Sequence, residues 1–204
     1  MSLRKRFHAW LMSRPNAKYE RAVGPYKREL FSTLEGTVLE IGPGAGVNLK
    51  YYPESVRWVG IEPNPYMHPY IQRAARRLGR DVEIRLGSAT SLGVADGSVD
   101  AVASTLVLCS VKDPTAVVRE ILRVLKPGGK YIFVEHVAAP AGTWLRRVQD
   151  FIQPAWTFFA DGCHPNRETW LTLEGGGFAR VDYRQFRAPA GLVALHIAGE
   201  AVKS

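Results

Sequence analysis

A glycine-rich stretch that follows an apolar run constrains the fold of this chain most strongly. Residues 38–48 read VLEIGPGAGVN, so the apolar run contains one acid, Glu40, and then enters glycines at alternate positions. Glycine lets the backbone adopt left-handed conformations and approach a ligand closely. A strand, a tight glycine turn and a helix N-terminus in this order are typical of a nucleotide-binding βα unit.

Strand and helix signals alternate along most of the chain. We predict strands at residues 37–41, 57–62, 82–87, 99–106 and 130–136, and two late strands near 179–186 and 195–202 that pair antiparallel across a short turn-rich segment. A helix is predicted over residues 113–125, with Asp113 as its N-cap and KPGGK as the turn that ends it. The fold class is therefore α/β, with a mostly parallel seven-stranded sheet, helices on both faces and an antiparallel C-terminal strand.

The 204 residues predict one domain. We divide it into a helical cap (1–34), a cofactor-binding core (35–138), an insertion (139–168) that could act as a lid, and a C-terminal helix with strands (169–204). The helix of residues 19–34 is expected to break near Gly24–Pro25. Most aromatic side chains of the insertion are expected in the core, with one or two lining an acceptor pocket: Trp144, Phe151, Trp156, Phe158 and Phe159.

Charge is concentrated at the N-terminus. The formal net charge is +8, and residues 1–30 hold eight Lys/Arg against two acids, a local charge of +6. This predicts either contact with an anionic membrane surface or only a solvated helix face. The sequence shows no signal peptide, no apolar stretch long enough to span a bilayer and no RNA-binding motif. We therefore expect a cytoplasmic monomer that binds no nucleic acid and can contact a membrane peripherally.

The glycine spacing and Glu40 favour one cofactor over another. Gly42, Gly44 and Gly46 form GxGxG, and Val47 occupies the position of the third glycine in the dinucleotide pattern GxGxxG. A carboxylate at Glu40 would repel a pyrophosphate but attract an ammonium and a sulfonium. S-adenosylmethionine (SAM) carries both cations and no phosphate, so we expect Glu40 to face its methionine end, directly or through water.

The end of the second strand supplies a second acid. Glu62 lies twenty residues after Gly42, where a carboxylate can accept both hydroxyls of an adenosine ribose. That acid alone would suit NAD equally well, but the combination favours SAM, with S-adenosylhomocysteine as the product. Further cofactor-binding positions are expected at Pro63, Asn64, Ser88, Ala89, Leu106 and Leu108.

Several motifs carry a family resemblance. ExGxGxG, GIEPNP and RVLKPGG resemble class I SAM-dependent methyltransferases. TLVLCSV (105–111), EHVA (135–138), DGC with RETW (161–170) and HIAGEAVK (196–203) are similar to the methyltransferase-like 7 family of thiol S-methyltransferases. This resemblance implies methylation of small thiols and hydrogen sulfide, an N-terminal membrane-associating segment, the three glycines as loop residues and Glu62 as the ribose acid. The chain departs from the family pattern at Ser88, Glu62, His164 and Pro165.

The acceptor site is expected beyond the carboxyl ends of the fourth and fifth strands. Asp161 or His136 could orient or deprotonate the acceptor for an in-line displacement, and Cys109, Cys163 and Trp144 could line its pocket. Cys109 and Cys163 are the only cysteines, and their wide separation predicts neither a disulfide framework nor a metal site. Two alternatives remain open: O- or C-methylation of a phenolic or quinone-like lipid, and a non-catalytic module that binds membrane or nucleic acid.

Overall fold

The computed structural model describes residues 3–14 and 16–204. Seven strands form one sheet in the order β3-β2-β1-β4-β5-β7-β6. Strands β1 to β5 are parallel, and β7 runs antiparallel between β5 and β6. The strands are β1 Thr37–Ile41, β2 Arg57–Ile61, β3 Glu83–Arg85, β4 Val99–Thr105, β5 Leu125–His136, β6 Arg180–Arg187 and β7 Leu195–Val202. The predicted fold class, including the antiparallel pairing of the late strands, is confirmed.

Helices cover both faces of the sheet. They are α1 Leu3–Met12, α2 Ala17–Phe31, α3 His68–Arg77, α4 Pro114–Val124, α5 Trp144–Phe159 and α6 Thr169–Glu174. One core cluster joins Leu39 of β1 to Val117 of α4, and the other joins Val38 of β1 to Phe31 of α2. Neighbouring residues of a strand face opposite sides, so Glu40 lies on the same face as Val38. The acid therefore points toward the α2 side of the sheet.

Helix α2 does not break at Gly24–Pro25 as predicted. It runs unbroken from Ala17 to Phe31, with Pro25 inside it. The Asn16 side chain caps its start, and residues on both sides of the proline are buried, including Val23 and Phe31. Proline removes one backbone hydrogen bond, and burial of the flanking residues offsets this loss.

The boundary between α4 and β5 also differs from the prediction. Asp113 caps α4 by accepting from Ala116 N, as expected. However, β5 begins at Leu125, directly after the helix, and KPGGK lies within the strand rather than before it. Leu125 pairs with Val99, and the register shifts before Lys130 pairs with Ala101. The glycines are thus accommodated by an irregularity in the ladder.

The aromatic residues of the insertion are mostly outside the core, contrary to the prediction. Trp144 is 74% exposed, Phe151 88% and Phe159 82%. Helix α5 lies outside the sheet, and the one residue buried in it is Gln149. The Gln149 amide accepts from Ala139 N and donates to Leu192 O, each at 2.8 Å. A buried polar anchor therefore fastens a helix whose apolar side chains face outward.

Within the described ranges 3–14 and 16–204, no helix has the length and apolar character needed to cross a membrane.

Candidate active site

The glycine loop follows β1 with three left-handed backbone conformations. Gly42, Gly44 and Gly46 have φ angles of 61°, 56° and 75°. A Cβ atom on Gly42 would lie 2.8 Å from Val107 Cγ2, and one on Gly46 would lie 3.2 Å from Ala74 Cβ. On Gly44 it would meet nothing closer than 4.0 Å. Packing therefore requires the outer glycines, whereas Gly44 leaves open space where a ligand can approach the backbone.

Glu62 lies directly after β2 and is 5% exposed. Its Oε2 accepts from Gly44 N at 3.0 Å, and its Oε1 accepts from Asn64 N at 2.9 Å. Burial raises the pKa of Glu62, and the two backbone bonds oppose this shift. Each carboxylate oxygen keeps a lone pair for a further donor. The predicted role of Glu62 in ribose binding stays a prediction, and the geometry leaves acceptor capacity for it.

Glu40 is enclosed by donors of the protein itself. Its Oε1 accepts from Asn48 Nδ2 at 2.8 Å, and its Oε2 accepts from Trp58 Nε1 at 2.8 Å and Tyr52 OH at 3.0 Å. Burial raises the pKa of Glu40, and these bonds oppose the shift. The expected role of Glu40 toward the cationic end of the cofactor, directly or through water, stays a prediction. In the structure the acid organises the side chain of Asn48.

Asn48 is a candidate site residue that the sequence analysis did not single out. Its Nδ2 donates to both Glu40 Oε1 and Thr105 Oγ1, at 2.8 and 3.0 Å. Its Oδ1 is buried and has no hydrogen-bond partner among the residues that the structure describes. A buried acceptor without a partner costs free energy unless a ligand supplies a donor. The sequence signal that could have identified Asn48 is its position as the last residue of the glycine-rich stretch.

Glu135 holds the loop that follows β4. Its buried carboxylate accepts from the backbone N–H groups of Val107, Leu108 and Cys109 at 2.8, 3.0 and 3.3 Å. Leu106 begins this loop with a left-handed φ of 58°. An acid at the end of β5 therefore fixes a loop of the neighbouring strand next to the glycine loop.

Some predicted cofactor residues are placed elsewhere. The Leu108 side chain is fully buried in the hydrophobic core, so only its backbone is left for the predicted contact with a cofactor, which stays a prediction. Ala89 packs partly against the same core. Ser88 is exposed, and its Oγ lies 3.0 Å from Thr90 Oγ1. Pro63 is exposed next to Glu62, so contacts of Pro63 and Ser88 with a cofactor stay predictions.

Two cysteine sulfurs and one histidine ring nitrogen converge from segments that are distant in sequence. Donor atoms of Cys109, His136 and Cys163 all lie within 4.8 Å of one another. His136 Nε2 lies 2.9 Å from Cys163 Sγ, and Trp156 Nε1 donates to the same sulfur at 3.3 Å. We call these three residues the sulfur cluster. Its donor types are also those that could hold a zinc ion, although the sequence predicted no metal site.

The two thiols of the sulfur cluster are electrostatically unequal. Their mutual hydrogen bond lowers the pKa of Cys163, and the bond from His136 adds to this effect against burial. The same mutual bond, together with burial, raises the pKa of Cys109. The other ring nitrogen of His136, Nδ1, is buried, and within residues 3–14 and 16–204 it has no hydrogen-bond partner. The cluster therefore combines a Cys163 thiol whose pKa is lowered with an imidazole nitrogen of His136 that bonds to none of the described residues.

Helix α2 adds a tyrosine beside this cluster. Tyr19 OH lies 3.0 Å from His196 Nε2, and His196 Nδ1 lies 3.0 Å from Ala194 O. Since a carbonyl oxygen only accepts, Nδ1 carries the proton and Nε2 accepts from the tyrosine. Burial lowers the pKa of His196 to about 4, so this ring is neutral at pH 7. Burial and the charges of Glu135 and Cys109 raise the pKa of Tyr19.

The end of the insertion docks onto the loop after β4. His164 N donates to Cys109 O at 2.8 Å, and Arg167 Nη1 donates to Leu108 O at 2.6 Å. A Cβ atom on Gly162 would lie only 2.7 Å from Ser110 O. Such a close approach of two backbones requires glycine, and it brings Cys163 to Cys109.

Helix α1 contacts both parts of the site. Asn64 Nδ2 donates to Lys5 O at 3.0 Å, and the backbone of Asn64 bonds to Glu62. His8 Nδ1 lies 3.6 Å from Asp161 Oδ2. Asp161 is half exposed and has a left-handed φ of 51°. Its predicted catalytic role is untested, and the structure gives it a place facing α1.

Trp144 is a correction among the predicted substrate residues. It is the first residue of α5 and is 74% exposed. The tryptophan of α5 that reaches the sulfur cluster is Trp156, twelve positions later along the helix. Helical periodicity did not distinguish the two, because α5 leaves most of its aromatic side chains outside.

Comparisons with known proteins agree with this geometry. A family model described as a methyltransferase domain matches residues 39–133. The human thiol S-methyltransferase TMT1A is 38% identical over 98% of this chain and 87% of its own length, and human TMT1B is 36% identical over the same shares. A crystal structure of a SAM-dependent methyltransferase from Aquifex aeolicus superposes with a TM-score of 0.69, at 20% identity and over 98% of each chain.

The domain match and the identity to the human methyltransferases define a SAM-dependent methyltransferase with the class I fold, and they imply SAM as the cofactor. Within this class, the near full-length identity to the human enzymes assigns the chain to a family. The chain belongs to the thiol S-methyltransferase family of TMT1A and TMT1B.

Proposed function

We propose that this enzyme transfers the methyl group of SAM to the sulfur of a small thiol or sulfide. The observation that carries the proposal is the sulfur cluster, in which an unpartnered buried imidazole nitrogen accompanies two thiols beside the loop after β4. The relatives TMT1A and TMT1B, both named thiol S-methyltransferases, support the same acceptor class.

The cofactor side fits SAM by its donor and acceptor groups. Glu62 keeps acceptor capacity for ribose hydroxyls, and Gly44 leaves room for close approach. Asn48 Oδ1 is a buried acceptor that an ammonium group could satisfy, and Glu40 orients it. SAM, when bound, supplies a methyl group on a positively charged sulfur, so the reaction needs no further activation of the leaving group.

The acceptor side has to position a nucleophile and handle one proton. Holding the two reactants in line is worth up to about 7–11 kcal/mol in well-oriented model reactions. We assign His136 Nδ1 as the group that takes the acceptor proton, because its other nitrogen is already bonded to Cys163. A thiol with a pKa near ~8.5 needs only modest help from such a base.

The surrounding residues exclude water from this site. Tyr19 and the neutral His196 close it from the α2 side, and Cys109 forms part of its buried wall. The insertion covers it from outside through the bonds of His164 and Arg167 to the loop after β4. An acceptor of small size fits this arrangement better than a bulky ring, because Cys109 and His136 are buried in protein and only Cys163 is partly exposed.

An acceptor panel tests the proposal. The reduced full-length protein is incubated with SAM and with alkyl thiols, hydrogen sulfide, phenols and quinols, and both S-adenosylhomocysteine and the methylated product are measured. Methyl thioethers or methanethiol are expected. Methylated phenols or quinols without any methylated thiol would reject the thiol acceptor and favour O- or C-methylation. Binding of SAM without product from any acceptor would favour a non-catalytic module.

A further inference from the structure

We propose that Cys163 and Cys109 form a reactive thiol pair that reduces small-molecule disulfides at the acceptor site. This proposal rests on the proposed function only for the location of that site. It assigns a second reaction to residues that we otherwise regard as walls of the pocket.

The first argument is the proximity of the two sulfurs. Cys109 and Cys163 are the only cysteines in the sequence, and both are free thiols. Their sulfurs lie within 4.8 Å of each other. The backbones are joined next to the pair, since His164 N donates to Cys109 O at 2.8 Å. A disulfide needs such adjacent backbones, because its Cα atoms lie about 4.4–6.8 Å apart.

The second argument is the different exposure of the two thiols. Cys109 is 2% exposed, whereas Cys163 is only partly buried. Cys163 Sγ is held by His136 Nε2 and Trp156 Nε1, two nitrogens that stabilise a thiolate. Dithiol reactions use an accessible thiolate to attack and a second thiol to resolve the mixed disulfide. Cys163 has the properties of the attacking group, and Cys109 those of the resolving group.

The reaction balances in two steps. The Cys163 thiolate attacks one sulfur of a disulfide RSSR, so the RS–SR bond breaks, a mixed disulfide forms and RS⁻ leaves to become RSH by taking a proton. The thiol of Cys109 then loses its proton and attacks Cys163 Sγ, which releases the second RS⁻. The net change is RSSR plus two protein thiols giving two RSH and one protein disulfide. An external dithiol must reduce that disulfide before another turnover.

The disulfide would also affect methyl transfer. Cys163 belongs to the insertion and Cys109 to the loop after β4, so the new bond would tie the cover of the acceptor site to its wall. The site would then stay closed to acceptor thiols until a dithiol reopens it. The reduced pair is therefore expected to allow both disulfide reduction and thiol methylation. The oxidised pair is expected to allow neither until a dithiol reduces it.

A chromogenic disulfide tests this proposal. Reduced, desalted full-length protein is mixed with the disulfide of thionitrobenzoate, and released thiolate and protein mass are followed. The native enzyme should release two thiolates per chain, lose two hydrogen masses and carry no adduct, with Cys109 and Cys163 in one cross-linked peptide. Cys109→Ser should release one thiolate and keep an adduct on Cys163. Cys163→Ser should react at least about tenfold more slowly, because the remaining thiol is buried.

The matched control is the unsubstituted chain unfolded in denaturant. It should carry two adducts, because the pairing of Cys109 with Cys163 depends on the fold. Two adducts on the folded enzyme, or no reaction of either thiol, would overturn the proposal. So would stoichiometric Zn²⁺ binding that protects both thiols, since the cluster would then be a metal site. Methylation of thiols by the reduced enzyme is measured in parallel. If thiols are methylated but no protein disulfide forms, this proposal fails while the proposed function stands. If the protein disulfide forms but no thiol is methylated, the proposed function fails while the thiol pair stands.

Discussion

The two halves of the proposed active site are built in different ways. The cofactor side uses Glu40, the glycine loop, Asn48 and Glu62. They lie within 23 consecutive residues that run from β1 through a short 3-10 helix, Val47–Tyr51, to the residue after β2. The acceptor side joins Tyr19 near the N-terminus to Cys109, His136 and Cys163, from four separate segments. A contiguous motif can be recognised from sequence alone, whereas an assembled site requires the fold.

The chemistry of the two sides differs as well. The cofactor side contains buried carboxylates held by protein donors, such as Glu40 with Trp58 and Tyr52. The acceptor side contains thiols and a neutral imidazole, His196, whose pKa burial lowers to about 4. Fixed negative charge suits a cationic cofactor, and a less polar site suits a small thiol. Changes on one side should therefore leave binding on the other side intact.

The largest expected effect is on the acceptor side, at His136. Replacing His136 by Ala removes the proposed proton acceptor, and loss of a general base typically reduces a rate by about 100-fold or more. We expect kcat for a thiol to fall by this factor while the Kd for SAM, measured by calorimetry, is unchanged. The matched control is His164→Ala, whose ring contacts Arg167 rather than the sulfur cluster.

A second measurement distinguishes a role of His136 as a base from a purely structural role. An acceptor supplied as a preformed thiolate at high pH should recover most of the lost rate in His136→Ala, because no proton remains to be removed. If the variant stays equally slow at high pH, or if it loses SAM affinity, His136 positions the site and is not its base.

Glu62 is expected to give the next largest effect, on the opposite side. Glu62→Ala removes the predicted ribose acceptor and also the bonds to Gly44 N and Asn64 N. Hydrogen bonds to a charged group are worth about 1.5–3 kcal/mol, so SAM should bind roughly tenfold to a hundredfold more weakly. The KM for the thiol at saturating SAM should not change. An unaltered SAM affinity would show that the acid serves only the loops.

Glu40 should give a smaller effect of a different kind. In Glu40→Gln an amide N–H₂ must face one of three existing donors, so the variant should lose about 1–3 kcal/mol of unfolding free energy. It should also weaken SAM by several-fold more than it weakens uncharged adenosine, measured at a temperature where the variant is folded. Equal losses for both ligands would mean that the charge is not sensed by the cationic end of SAM.

Local patterns were sufficient for most of the fold. The approximate places of the seven strands, the Asp113 cap and the antiparallel pair near the C-terminus are confirmed, because each depends mainly on neighbours within a few residues, whereas β5 begins five residues earlier than predicted. The break expected at Pro25 was wrong, since burial on both sides of the proline outweighs one missing bond. The prediction that most aromatic residues of α5 lie in the core was also wrong. Helical periodicity shows that a helix has an apolar face but does not show whether that face packs against the sheet.

The site shows the same limit at the level of single residues. Glu62 and the three glycines could be proposed from spacing, whereas the pairing of Tyr19 with His196 spans 177 positions and has no local signal. The wide sequence separation of Cys109 and Cys163 predicted neither a disulfide framework nor a metal site, although both were expected to line the acceptor pocket. The fold brings their sulfurs within 4.8 Å of each other. Leu108 shows the opposite case, in which a position at a strand end places its side chain in the core.

Asp161 provides a smaller, discriminating test on the acceptor side. Its carboxylate lies 3.6 Å from His8 Nδ1 and is half exposed, and such a pair is worth about 0–1 kcal/mol. Asp161→Asn should therefore change kcat/KM for a thiol by about fivefold at most. His8→Ala is the matched partner variant and should behave alike. A loss of about 100-fold in Asp161→Asn alone would restore Asp161 as the catalytic base in place of His136.

The last prediction concerns the outside of the acceptor half and should leave turnover unchanged. Phe151 and Phe158 are 88% and 67% exposed and lie seven positions apart on α5, which places them on one side of the helix. Phe7 on α1 is 61% exposed, next to the exposed bases Lys5 and Arg6. Apolar rings beside basic side chains suit an anionic membrane surface, so we propose a peripheral contact through α1 and α5.

Vesicle sedimentation separates this contact from catalysis. Phe151→Ser with Phe158→Ser should reduce binding to phosphatidylserine-containing vesicles at every salt concentration, whereas charge reversal at Lys5 and Arg6 should reduce it mainly at low salt, because exposed charges are screened beyond about 10 Å at 0.1 M. Leu171→Ser, an exposed apolar residue on α6 that is 55% exposed, is the control and should bind normally. All variants should methylate a soluble thiol at the native rate. If the native enzyme does not bind these vesicles at low salt, the exposed rings and the basic N-terminal segment are only solvated surface. If the aromatic variants lose thiol turnover instead, Phe151 and Phe158 contribute to the acceptor site and are not only part of a membrane-binding surface.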